Sequence, residues 1–186
     1  MLELLAKRGV SMVKKIIYRV SIQGLLLLTA LSFQSFTLAT ELNKVNERLA
    51  IAEMLTRYSY RWDSKDSAGF ADLFTEEAVM ERWREGNLVQ NSRVAGKEAI
   101  HRYAKQSHEG RLADRQTRHH FSGLVFLELT DQTAVTENMA LITHQTVNDR
   151  AAFIASSGIY RNSRQKTADG WRISKRVLFS DSFSGN

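Results

Sequence analysis

The chain has 186 residues, with 26 Lys and Arg against 20 Asp and Glu, five His, and neither cysteine nor proline. Without cysteine it can have no disulfide framework, thiol chemistry, cysteine-based zinc site or lipoprotein anchor, so its stability must come from packing. Five bases and one acid fall in residues 1–39, which leaves 21 bases against 19 acids after them; that near balance, with bases scattered among acids, gives no electrostatic footprint for nucleic acid.

The first 39 residues read as a secretory signal. Lys14, Lys15 and Arg19 precede an apolar run, Gly24–Leu31, and Thr37-Leu38-Ala39 offers small residues for cleavage before Thr40. The run is well short of the ~20 residues that cross a bilayer. The expectation is therefore export to the periplasm or medium, no stable membrane span once the signal is gone, and one domain over 40–186. An uncleaved anchor or a buried N-terminal helix is the other reading, and Met12 is an alternative start.

Leu42, Val45, Leu49, Ala52, Leu55, Tyr58 and Trp62 recur at steps of three and four, which predicts a helix over 41–62. Asp66 or Ser67 can cap a short second helix reaching Phe74. A strand follows around 78–83, then a turn at Glu85-Gly-Asn, another short strand, and a third helix over 96–105. The second half carries four strand-like runs, 117–129, 133–147, 151–162 and 171–183, rich in β-branched and aromatic residues with hairpin-length separators. Helices followed by an antiparallel meander make an α+β chain. The expected form is a cone-shaped α+β barrel, three N-terminal helices packed on a strongly curved, mostly antiparallel sheet around a pocket.

Of the five histidines, His101 and His108 lie in or beside the polar third helix and read as solvated, whereas His120 and His144 sit within strands. Asn138, Ala140, Ile142 and His144 share one face by period two, and small residues there leave room for a ligand. Asp63 closes the first helix directly after Trp62. Two readings stand: hydrogen-bonded core histidines with an ordinary helix-terminating aspartate, or a catalytic Asp–His pair. Two histidines and an aspartate could in principle bind iron or zinc, but no short ligand motif accompanies them. There is no nucleophile elbow, phosphate loop or dinucleotide fingerprint.

The stretch Ile51–Ala78, with Leu55, Tyr58, Asp63, Asp66, Phe70 and Phe74, resembles the opening of SnoaL-like domains of the nuclear-transport-factor-2-like superfamily. Gly96-Lys-Glu-Ala-Ile100, Thr117-Arg-His-His-Phe121, Gly158-Ile-Tyr160-x-Asn162 and Asp169-Gly-Trp171-Arg-Ile173 are similar to later signatures of that family, in order. Scytalone dehydratase and hexachlorocyclohexane dehydrochlorinase, the enzyme families nearest by motif, remove a proton with an Asp–His pair. The resemblance implies Asp63 as the aspartate, His120 as the base and His144 as a second histidine of the dehydratase type. The dehydratase's first-strand tyrosine and pocket asparagine have no counterpart at Arg82 or Trp83 and at Ser156-Ser157-Gly158, so its substrate does not carry over.

The resulting expectation is a cofactor-independent, metal-independent dehydratase-type lyase acting on a small, apolar, carbonyl-bearing molecule. His120 would be its base, Asp63 would orient it, His144 would attend the leaving group, and Tyr58, Trp62 and Tyr160 would line the cavity. The expected assembly is a homo-oligomer, dimer or trimer. The alternatives are a non-catalytic periplasmic binder of a hydrophobic ligand, or an interaction protein using its open sheet face.

Overall fold

The computed structural model describes Leu38 and residues 40–181. The proposed signal therefore lies almost wholly outside the described residues. The chain divides into two compact units, 1–49 and 50–186. Helix is assigned over residues 40–63 (α1), and the division falls within it. In the first unit, Leu42, Val45 and Leu49 are exposed, although their spacing predicts a buried stripe. In the second, Ile51, Met54, Tyr58 and Trp62 are buried at steps of three and four. No described helix is long and apolar enough to cross a membrane.

Lys65, at φ 61°, ends the run of helical conformation after Asp63. Asp66 then caps α2 (Ser67–Ala71), its carboxylate accepting from the Gly69 backbone N–H at 2.8 Å. Helix α2 stops short of the expected Phe74, where β1 (Phe74–Arg84) already begins. Short strands β2 (Asn87–Leu88) and β3 (Val94–Ala95) both pair with β1 and lead into α3 (Lys97–Glu109).

The remaining chain is the predicted meander: β4 (Arg115–Leu129), β5 (Thr133–Thr146), β6 (Phe153–Thr167) and β7 (Gly170–Ser180), each antiparallel to the next. Strand β7 then runs parallel to β1, so the sheet is mixed, in the order β2-β1-β7-β6-β5-β4. That order corrects the barrel expectation. Strand β4 and the β2–β1 side are the two ends of the sheet and do not pair, so it stays open and is not strongly curled. Three helices and a mostly antiparallel sheet are present; closure is not. A barrel removes both edges by hydrogen bonding them together, and the hairpin-length separators, legible in sequence, carry no information on that last pairing.

The core joins α1 to α2, α3 and the sheet. Ile51, Phe70, Phe74, Met80, Ile100 and Ile173 are each no more than 2% exposed. Full burial of such side chains contributes about 1.5–3 kcal/mol apiece. Along β5, Ala134, Thr136, Asn138, Ala140 and Ile142 are buried in strict alternation, as the period-two reading required. On β6, Gly158 pairs with Ser180 so closely that an added Cβ would collide with the Phe179 carbonyl oxygen and lie 3.0 Å from Ser180 Cα. Gly158→Ala should therefore cost about 1–3 kcal/mol, read as a lower urea midpoint at unchanged slope. An unshifted midpoint would mean the β6–β7 pair yields freely there.

Candidate active site

The last turn of α1 brings Asp63 to the start of β4. The Gln116 side-chain amide donates to the Asp63 carbonyl oxygen at 3.2 Å. The carboxylate accepts three protons from β4: from Thr117 Oγ1 at 2.7 Å, from the His119 backbone N–H at 2.8 Å, and from the His119 ring at Nδ1, 2.8 Å. The Asp63 and His119 side chains are 10% and 5% exposed. Burial raises the carboxyl's pKa, but the bonds and charge from His119 and the Thr117 hydroxyl outweigh it and hold it below its ordinary value. An ionised carboxylate only accepts, so the His119 ring carries a proton on Nδ1, and in a neutral ring Nε2 would hold the free lone pair.

This corrects the expected pairing by one residue. His120 turns to the other face of β4, is exposed, and bonds through Nε2 to Thr143 Oγ1 at 3.2 Å. It borders a separate, more open hollow beside Ala52, Leu55, Thr56 and Ser59. The register explains the difference. Thr117, His119 and Phe121 lie opposite His144, Ile142 and Ala140, on the buried face of β5, while Arg118 and His120 lie opposite Thr143 and Leu141. His119 was detectable by this alternation: two residues on either side of it, Thr117 and Phe121 face inwards, whereas Arg118, His120 and Ser122 are exposed.

His119 lines a cavity of about 530 Å³ together with His144, Tyr58, Trp62 and Tyr160. Four of the five other predicted site residues thus gather where His120 does not, and Asp63 is joined to the cavity wall through His119. Aromatic rings form much of the wall: Tyr58 packs edge-on against His119 at 6.1 Å and against Tyr160 at 5.9 Å, and Trp62 meets His119 at 6.3 Å. Burial lowers the His144 pKa, and the charges of Arg115 and Arg111 add to that, so the ring favours its neutral form. His108, expected to be solvated, is 4% exposed; its Nδ1 meets Ser67 Oγ at 2.8 Å and its ring packs edge-on against Trp62 at 4.8 Å. Sequence reading also passed over Arg176, a cavity-lining guanidinium on β7 that is 9% exposed. Among the described residues, no three His, Asp or Glu side chains gather as a metal site would require.

An open α+β sheet with an acid–imidazole pair at the wall of an aromatic cavity has the fold of the nuclear-transport-factor-2-like superfamily. Within it, the chain belongs to the SnoaL-like domain family, which matches residues 43–177. Among solved structures it is similar to an NTF2-like protein with a cystatin-like fold from Novosphingobium aromaticivorans, with TM-score 0.66, 21% identity, and coverage of 80% of this chain and 90% of that one. A candidate scytalone dehydratase from the same organism aligns with TM-score 0.64 and 24% identity over 77% and 89% of the two chains. A protein of unknown function from Mycobacterium tuberculosis aligns with TM-score 0.64 and 23% identity over 76% of each. No curated protein matches the sequence.

Proposed function

We propose that the protein is a cofactor-independent lyase of the dehydratase type, with His119 as the general base. The observation that carries this reading is the 2.8 Å contact between Asp63 Oδ1 and His119 Nδ1, in a ring that lines the cavity. An imidazole titrates near neutral pH and accepts a proton without extreme tuning. Asp63 fixes its tautomer and stabilises the imidazolium as charge develops, which makes Asp63 a positioning residue.

Balanced, the step is an elimination. Nε2 of His119 takes the proton beside a carbonyl, the C–H electron pair becomes the double bond, and the carbon–oxygen bond on the neighbouring carbon breaks. The proton leaves His119 on the departing hydroxide as water, which restores the neutral ring. His144, favouring its neutral form, serves as an N–H donor to the leaving oxygen rather than as a full acid. The reading also retains export, with residues 1–39 removed.

The test needs no knowledge of the natural substrate. In deuterium oxide, the protein should catalyse exchange of the acidic C–H protons in a panel of small β-hydroxy ketones and β-hydroxy acids, followed by NMR. A panel that exchanges no faster than with heat-denatured protein would instead favour a binding role.

A further inference from the structure

Arg176 is a buried cation without a counter-ion among the described residues. It is 9% exposed, its Nε has no hydrogen-bond partner, and one terminal nitrogen meets only the weakly accepting sulfur of Met80 at 3.2 Å. Its guanidinium carbon lies 5.1 Å from the Tyr160 ring centroid. No carboxylate forms an ion pair with it among the described residues. Glu81, the acid among the described residues lining the cavity, is engaged by Lys175 at 3.2 Å, Arg93 at 3.5 Å and the Trp83 indole N–H at 3.0 Å. Burial pushes the Tyr58 phenol well above its ordinary pKa, so that neighbour is uncharged near neutral pH. Removing a charge from water and leaving it unpaired costs several kcal/mol, and proteins keep such groups chiefly where something else completes them.

We propose that Arg176 is the subsite for an anionic ligand, and that the cavity takes a small organic carboxylate with an apolar body. This deepens the dehydratase reading and rests on it for the cavity's role, by naming the class of molecule presented to His119. A planar guanidinium presents N–H donors in a fork that matches the two oxygens of a carboxylate. Arg82 and Arg111 line the same cavity and add positive field, while Trp62, Ile142 and Leu178 supply apolar wall for the rest of the molecule. With the carboxylate on Arg176, the acid's remaining carbons lie in the cavity that His119 and His144 also line.

Titration calorimetry on the full chain, comparing phenylacetate and naphthoate with phenylacetamide and naphthamide, tests the assignment. Each acid should bind at least about tenfold more tightly than its isosteric amide, the scale of a hydrogen bond to a charged partner. Arg176→Met should erase that preference. His119→Ala should keep it, so failed catalysis and failed anion binding are separable outcomes. Equal affinities in the wild type, no binding of any of the four, or a folded Arg176→Met that still prefers acids would each overturn the subsite. The wild-type comparison decides the matter even if that variant does not fold.

Discussion

His119→Ala should lower the rate of proton transfer by about 10²–10⁴-fold, the usual contribution of a positioned general base, while His120→Ala should leave it within about twofold. The two histidines are chain neighbours, so loss of bulk or charge at either is a close control for the other. Only His119 is joined to Asp63, and only His119 lines the 530 Å³ cavity with His144; His120 bonds Thr143 from the opposite face. Asp63→Asn should be nearly as damaging, for a different reason. The carboxylate accepts from the Thr117 hydroxyl, the His119 backbone N–H and His119 Nδ1, and an amide presents one accepting oxygen and a donating nitrogen to the same three. The ring can satisfy a donor only by accepting at Nδ1, which moves its proton to Nε2 and removes the base. Nitrogen NMR of the imidazole should show that tautomer change in Asp63→Asn, a signal that loss of stability alone would not produce. If activity fell with His120→Ala and survived His119→Ala, the proposed chemistry would belong to the other face of the sheet.

The Asp63 carboxyl also sets a pH limit. Its pKa is lower in the folded protein than its ordinary 3.8. Its stabilising contribution is therefore fully present above that ordinary value, and is lost as pH falls through the lower folded one. Acid should undo the pair that positions His119 while the rest of the sheet still stands.

Much of this architecture was legible because local physics wrote it. Hairpin-length separators between β-branched runs dictated the β4–β7 meander, and alternation along β5 placed Asn138, Ala140, Ile142 and His144 on one face. The family resemblance pointed to Asp63 and His120, whereas the ring bonded to Asp63 is that of His119. It aligned a His-aromatic pair, whereas the pleat of β4, with Thr117 and Phe121 inward, selects His119. Sheet closure was not legible, since whether β4 reaches the β1 side depends on accumulated twist and coiling rather than on any residue pattern. The buried arginines were passed over for another reason. Alternation with Gly158, Tyr160 and Asn162 puts Arg164 on the inward face of β6, but a long cationic side chain is by default assigned to solvent.

Arg164 makes that point as a stability effect. It is 1% exposed, one terminal nitrogen bonds Thr136 Oγ1, and its Nε is unpartnered. The gap beside it, among Leu55, Tyr58, Phe121, Tyr160 and Ile173, has no volume for water or a ligand. Burial lowers its pKa to about 10. At roughly 1.4 kcal/mol per pH unit, that corresponds to a penalty of order 3 kcal/mol for keeping the charge in the fold. The folded value lies below the unfolded one, so the penalty is fully present below pH 10 and fades as pH rises above it. Arg164→Met keeps an unbranched apolar stem in the same space and discards the charge, at the cost of the charge-assisted hydrogen bond to buried Thr136, about 1.5–3 kcal/mol. The variant should be more stable than the wild type at neutral pH by up to about 1.5 kcal/mol, read as a higher urea midpoint, with the gap narrowing above pH 10. A loss of stability would show that the guanidinium's packing and single hydrogen bond outweigh its desolvation. Arg176→Met differs in kind, because Arg176 borders a hollow that a ligand can fill: its stability should rise only without an anion, and the advantage should reverse once phenylacetate saturates the wild type.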